Sequence, residues 1–152
     1  NHGGKGNHLL EGMNSRLDSI QAVFLNIKIK NLKKETLKRI QNSKTYFKEL
    51  KNNKTIQLPK VLNANVNAFH QFVIRTKKRN LLKKYLINHN IETQIHYKQI
   101  IPLMKAYERF QFNKNNFFNA YKASKEILSL PISSDKKKVD IEFISSKINN
   151  FK

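Results

Sequence analysis

Gly12-Met13-Asn14-Ser15-Arg16-Leu17-Asp18-Ser19-Ile20-Gln21-Ala22 is the stretch that decides how the rest of the chain is read. Gly12 allows a backbone turn that a residue with a Cβ would resist. Ser15 and Asp18 stand at the spacing of a capping box, with Asp where Glu or Gln is usual. Leu17, Ile20, Phe24 and Ile27 follow at steps of three and four, the apolar stripe of an amphipathic helix. The run therefore predicts a turn, a capped start and a first helix from Ser15 to about Lys28.

Working outward, Asn31 is a plausible break, and a second helix is expected from about Lys33 to Lys51. Leu37, Ile40, Phe47 and Leu50 supply its stripe, with Ser43 at the intervening position. Asn52-Asn53-Lys54 ends it, and Leu58-Pro59 starts an extended segment because Pro disfavours helix in the residue before it. From Phe69 to Arg75, His70, Phe72 and Ile74 alternate with Gln71, Val73 and Arg75, a strand signal. Arg79 to about His89 reads as a helix with Leu82, Tyr85 and Leu86 inward, and Glu92 to Tyr97 as the next strand. Short helices near Leu103–Phe110 and Asn119–Leu128 and a last one from about Lys137 to Asn150 complete the order. No internal repeat and no long linker interrupts it. Helices packed on a small antiparallel sheet, an α+β arrangement, is the architecture this order predicts.

The residues themselves carry more than their periodicity. Gly12-x-Asn14-Ser15-Arg16-Leu17-Asp18-x-Ile20-Gln21-Ala22 resembles the segment that opens the C-terminal part of the DegT/StrS family of sugar aminotransferases. His70-Gln71-Phe72-Val73-Ile74-Arg75 is similar to a strand of that family, and Arg79-Asn80-Leu81-Leu82 with Leu86 to the helix after it. Ile91-Glu92-Thr93-Gln94-Ile95-His96-Tyr97 resembles the family's Gly-Ile-x-Thr-x-x-His-Tyr strand, with Asn90 where Gly is usual. Leu128-Ser129-Leu130-Pro131-Ile132 resembles its Leu-Ser-Leu-Pro element. These blocks stand in the family's order from about Gly12 to Phe151. The resemblance implies the C-terminal small domain of a fold-type I enzyme that uses pyridoxal 5'-phosphate. It also implies a division into residues 1–51, a linker and helices facing the large domain or the dimer interface, and residues 52–152, the small α+β domain.

The bulk numbers bound the alternatives. The chain has 152 residues, enough for one domain with a core, and no Cys, which excludes disulfides and thiolate metal sites. Neither a bilayer-length apolar run nor a signal peptide's apolar region is present, so a cytoplasmic protein is expected. His2-Gly3 fits a His-Gly pair found just upstream of the Gly-x-Asn motif in the family. With an N-terminus that is not Met, this suggests a processed product, an excised piece or a truncated reading. The histidines show no metal spacing, and no metal is expected.

A formal net charge of +20 attracts polyanions. A basic module that binds nucleic acid is accordingly the alternative function. Against it, Lys28, Lys33, Lys34, Lys77, Lys78, Lys83, Lys84 and Lys136 to Lys138 are spread over several elements, as solvated faces are. Asn and Ile are enriched beside them, as in a compositionally biased genome.

Transamination needs a lysine that binds the cofactor covalently and then moves the proton. The resemblance places that lysine, and the carboxylate that holds the pyridine nitrogen protonated, upstream of this sequence. It implies no catalytic residue here. It does imply that Asn14 reaches the cofactor phosphate across a dimer, which suits the positive end of a helix; an ordinary N-cap is the other reading. Arg16 either binds a sugar-nucleotide phosphate bidentately or pairs with Asp18. His96 and Tyr97 either meet the substrate at the mouth of the site or form a half-buried sheet pair. Implied partners are a nucleotide-linked keto-sugar, an amino donor, and a second copy or the missing N-terminal domain. Two departures from the family bear on the substrate contacts. Lys98-Gln99-Ile100-Ile101-Pro102 stands where Pro-x-Pro-x-His is usual, and the Pro and Glu that usually follow Phe117 are absent.

Overall fold

Between Ser19 and Leu50 the sequence holds neither Gly nor Pro, and the computed structural model forms one unbroken helix there, α1 (Ser19–Leu50). The expected break at Asn31 does not occur. Asn in a helix interior costs about 0.7 kcal/mol at most, too little by itself to interrupt a helix of 32 residues. The start also differs from the capping-box expectation. Asp18 is the N-cap, in extended conformation, and makes no side-chain cap. Its carboxylate accepts two hydrogen bonds from Arg16 instead, at 2.7 and 3.1 Å. The structure describes residues 3–4, 7–13, 16–62 and 65–151, so Ser15, His2 and Asn14 lie outside the described residues.

The remaining elements are a short hairpin, β1 (Gly3–Gly4) with β2 (Asn7–His8), then β3 (Phe72–Arg75), α2 (Arg79–Ile87), 3-10 turns at Ile101–Leu103 and Lys105–Phe110, α3 (Phe118–Glu126), β4 (Ile127–Leu130) and α4 (Lys138–Asn150). β3 and β4 pair antiparallel, with Phe72 opposite Leu130 and Ile74 opposite Leu128. Isolated bridges extend this ribbon on both sides, Gln57 to Arg75 and Gln94 to Ser129.

Phe72, Ile74, Leu128 and Leu130 bury the inner face of the ribbon against Leu82 and Leu86 of α2, Ile141, Ile144 and Ile148 of α4, and Tyr46 and Leu50 of α1. Tyr46 stacks on Phe72 with ring centroids 4.7 Å apart, and its hydroxyl donates to the Pro131 carbonyl at 2.7 Å. Burial pushes the Tyr46 hydroxyl far above its ordinary pKa, so it acts as a neutral donor. Asn42, one turn earlier, donates to the carbonyls of Ser133 and Lys136 and so ties α1 to the approach to α4. The C-terminal part of α1 thus shares one core with residues 69–148.

Two strand expectations need correction. The helix expected over Asn119–Leu128 stops at Glu126, and Ile127–Leu130 is a strand. Arg79, itself buried, donates to the carbonyls of Ser124 and Ile127, drawing off acceptors at the end of α3. Pairing with β3 then suits the apolar Ile127, Leu128 and Leu130 better than another helical turn. Conversely, the strand expected over Glu92–Tyr97 is reduced to the bridge at Gln94. On the Glu92 side the next hydrogen-bonded pair would need a donor at Pro131, which has none, and on the other side the chain turns at His96 and Tyr97.

Asn90, in the place where the family resemblance has Gly, adopts φ 58°. It closes α2 with hydrogen bonds from Asn90 to the Ile87 carbonyl and from Ile91 to the Leu86 carbonyl, a Schellman motif. Asn tolerates the left-handed region better than other residues with a Cβ, which accounts for the exchange. No helix among the described residues is long and apolar enough to cross a membrane.

Candidate functional site

The bridge at Gln94 sets the site. Gln94 and Ser129 exchange main-chain hydrogen bonds of 3.2 and 2.8 Å, which fixes the Ile91–Tyr97 segment against β4. Ile91 and Thr93 turn inward and are buried, while Glu92 and Gln94 face out. Past the bridge, His96 is half-buried, and its Nδ1 lies 2.9 Å from the Ser129 hydroxyl. Its ring meets that of Tyr97 edge to face, with centroids 5.5 Å apart.

The two aromatic residues open onto different clefts. His96 lines one of about 290 Å³ with His70, Gln71, Glu92, Gln94 and Ser129. Tyr97 lines the other, of about 360 Å³, together with Leu10, Glu11, Ile101, Met104 and Tyr107. The wall of this second cleft is tied by an ion pair of 2.9 Å between Glu11, ahead of α1, and Arg109 in the second 3-10 turn. Both clefts mix polar and apolar walls: Leu130, Pro131 and Ile132 complete the first, and His8 and Gln99 also line the second.

The structure brings His96 and Tyr97 together and leaves Arg16 apart from them. The Arg16 side chain is 82% exposed, is engaged by Asp18, and lines neither cleft. Asn14 is outside the described residues. Sequence reasoning missed Ser129 as the partner of His96. The available signal was a hydroxyl between two apolar residues, Leu128 and Leu130, in a segment destined for the core.

A pyridoxal phosphate site needs an enclosed amine. No lysine among the described residues is buried; Lys83 and Lys147 are half-buried and the others exposed. The described residues therefore do not fit the covalent side of such a site. No group of three or more His, Asp or Glu residues that could hold a metal ion occurs among them.

The architecture is that of the C-terminal small domain of a fold-type I pyridoxal phosphate aminotransferase. The chain superposes on the crystal structure of S. venezuelae DesV in complex with a ketimine intermediate with a TM-score of 0.85, at 26% identity, over 97% of this chain and 40% of that one. It also superposes on an aminotransferase of Brucella abortus with a TM-score of 0.78, at 27% identity, over 97% and 39% of the two chains.

The particular family follows from the sequence. The chain belongs to the DegT/DnrJ/EryC1/StrS aminotransferase family, whose model matches residues 1–149. Among its relatives is the dTDP-3-amino-3,6-dideoxy-alpha-D-galactopyranose transaminase of Aneurinibacillus thermoaerophilus, 33% identical over 144 residues, or 95% of this chain and 39% of the relative. Another is the dTDP-3-amino-3,4,6-trideoxy-alpha-D-glucose transaminase of Streptomyces venezuelae, 31% identical over 84% of this chain and 34% of the relative. The chain thus spans less than half the length of the curated relatives it matches.

Proposed function

We propose that this chain is the C-terminal portion of a pyridoxal 5'-phosphate-dependent nucleotide-sugar aminotransferase, which moves an amino group, commonly from glutamate, to a keto-sugar. The observation that carries this reading is the match of 97% of the chain to a sequence-similar structure at a TM-score of 0.85. When bound, the cofactor supplies the electron sink for amino transfer. This chain contributes surfaces rather than the amine. His96 and Tyr97 present hydrogen-bonding groups at adjoining clefts, where sugar hydroxyls or phosphate oxygens would be received. Asn14 is assigned to the cofactor phosphate by the family pattern. Arg16 becomes available to a substrate phosphate if it exchanges Asp18 for that anion.

The first half of α1 supports the same reading. At 100° per residue, Ile20, Val23, Phe24 and Ile27 fall on one face and Leu25, Ile29 and Leu32 on the opposite one. All seven are exposed. An arm with two uncovered apolar faces suits a position between bodies, here the lysine-bearing domain and a second subunit. A basic module for nucleic acid explains neither the apolar arm nor the transaminase relatives.

The test is a pyridoxal phosphate titration followed by absorbance, on the chain alone and mixed with a lysine-bearing N-terminal portion from a relative. The expected result is a stoichiometric visible band and amino transfer only in the mixture. A stoichiometric, saturable band from this chain alone would overturn its assignment as the portion without the amine.

A further inference from the structure

Ser129 is buried in β4, and its main chain is committed to Gln94 in both directions. Its hydroxyl has a different use, the contact of 2.9 Å with Nδ1 of His96. A hydroxyl can donate or accept, and a neutral imidazole carries one donor and one acceptor nitrogen, so two arrangements are conceivable. They differ in what happens to the hydroxyl proton. Among the described residues no second partner lies within hydrogen-bond reach of Ser129 Oγ. If the hydroxyl accepted from Nδ1–H, its own proton would meet no protein acceptor among the described residues, an arrangement disfavoured for a group this little exposed. If it donates, the proton is used and only a lone pair is left over.

We infer that Ser129 is a positioning residue that donates to Nδ1 of His96 and thereby holds the neutral ring as its Nε2–H tautomer. His96 is then a neutral hydrogen-bond donor at the cleft it lines with His70, Gln71, Glu92 and Gln94. Such a donor selects ligand atoms with lone pairs: hydroxyl, carbonyl or phosphate oxygens. The ligand rests on the proposed function, whereas the tautomer belongs to the chain itself and can be read without any ligand.

His89 provides an internal reference of opposite sign. Its Nδ1 lies 2.9 Å from the Tyr85 carbonyl oxygen, which can only accept. His89 must therefore carry its proton on Nδ1 when neutral. One short chain holds two histidines locked in opposite tautomers by opposite partners.

The experiment is a long-range proton–nitrogen spectrum of the chain labelled with 15N-histidine, recorded at a pH where the imidazoles are neutral. His96 is expected as the Nε2–H form and His89 as the Nδ1–H form. Ser129→Ala should move His96 toward the tautomer mixture of a free imidazole and leave His89 unchanged. Ser129→Thr, which keeps the hydroxyl, should restore the wild-type pattern. A wild-type His96 in the Nδ1–H form overturns the inference. So does a Ser129→Ala spectrum in which His96 keeps its tautomer while His89 shows the fold intact. If the alanine variant loses the His89 signature, the wild-type spectrum and the threonine variant decide. Adding a dTDP-sugar separates the two levels of the argument: no response at His96 counts against the substrate reading, and the ligand-free tautomer stands or falls by itself.

Discussion

The two halves of α1 obey the same helical periodicity and meet opposite fates. From Asn42 to Leu50 the helix packs into the core, with Ser43, Tyr46 and Leu50 almost fully buried. From Ser19 to Lys34 its apolar side chains stand in solvent, Ile20 at 84% and Phe24 at 61% exposure. Periodicity records that a face is meant to be covered; it does not say by what. The inner half is covered by α4 and the β3–β4 ribbon, and the outer half, in the function proposed above, by the remainder of the enzyme.

The sharpest contrast comes from matched truncations. Tyr46→Ala removes a stacked ring and a buried hydrogen bond and should destabilise the chain by about 3–5 kcal/mol in urea unfolding. Phe24→Ala should stay within about 0.5 kcal/mol in the same assay, because its side chain is mostly exposed, with the Lys28 ammonium 5.7 Å from its ring centroid. Comparable losses at both positions would mean the outer half is already packed. Phe24→Asp should nevertheless abolish co-purification with a lysine-bearing N-terminal portion, since a carboxylate would enter a covered apolar face.

Arg79 extends the comparison to polar burial. Replacing it by Met keeps much of the side-chain volume but leaves the Ser124 and Ile127 carbonyls without that donor, for an expected loss of about 2–3 kcal/mol. Tyr46 also predicts a pH dependence. Its proton is held more tightly in the folded chain than in the unfolded one, so stability is fully present below the ordinary tyrosine value of 10.0. Above that value the unfolded state loses the proton and the folded state does not. Stability should then fall by about 1.4 kcal/mol per pH unit from this group alone. Tyr46→Phe should remove that component of the slope, read as the difference between two alkaline unfolding series. The smallest effect is expected at the helix start. Arg16→Ala breaks an ion pair whose partners are 82% and 51% exposed, and should cost less than about 0.5 kcal/mol.

The sequence was legible where local signals and tertiary packing agree. The alternation around Phe72 and Ile74, the stripe of Leu82 and Leu86 and the final helix all appear in the structure close to where their patterns place them. It was misleading where distant partners decide. Ile127–Leu130 continues a helical pattern until β3 offers a better use for it. The segment at Glu92–Tyr97 keeps one bridge, at Gln94; Pro131 ends the ladder on the Glu92 side, and the chain turns at His96 and Tyr97 on the other. Tyr46 fell between the residues counted as the stripe of its helix, so its role as the central ring was not visible. At the candidate site, His96 and Tyr97 could be named from the family motif. That they open onto different clefts, and that Ser129 holds one of them, depends on a strand register that no local pattern encodes.

Single-residue contacts at Gln57 and Gln94 occupy both margins of the short β ribbon. A two-stranded sheet with bare sides is a template on which further copies can stack into fibrils. This chain carries many water-facing apolar groups on its long helix, and each flank of the ribbon is bridged at one residue, Arg75 on one side and Ser129 on the other. These two bridges shorten the run of open edge on which a further strand could pair.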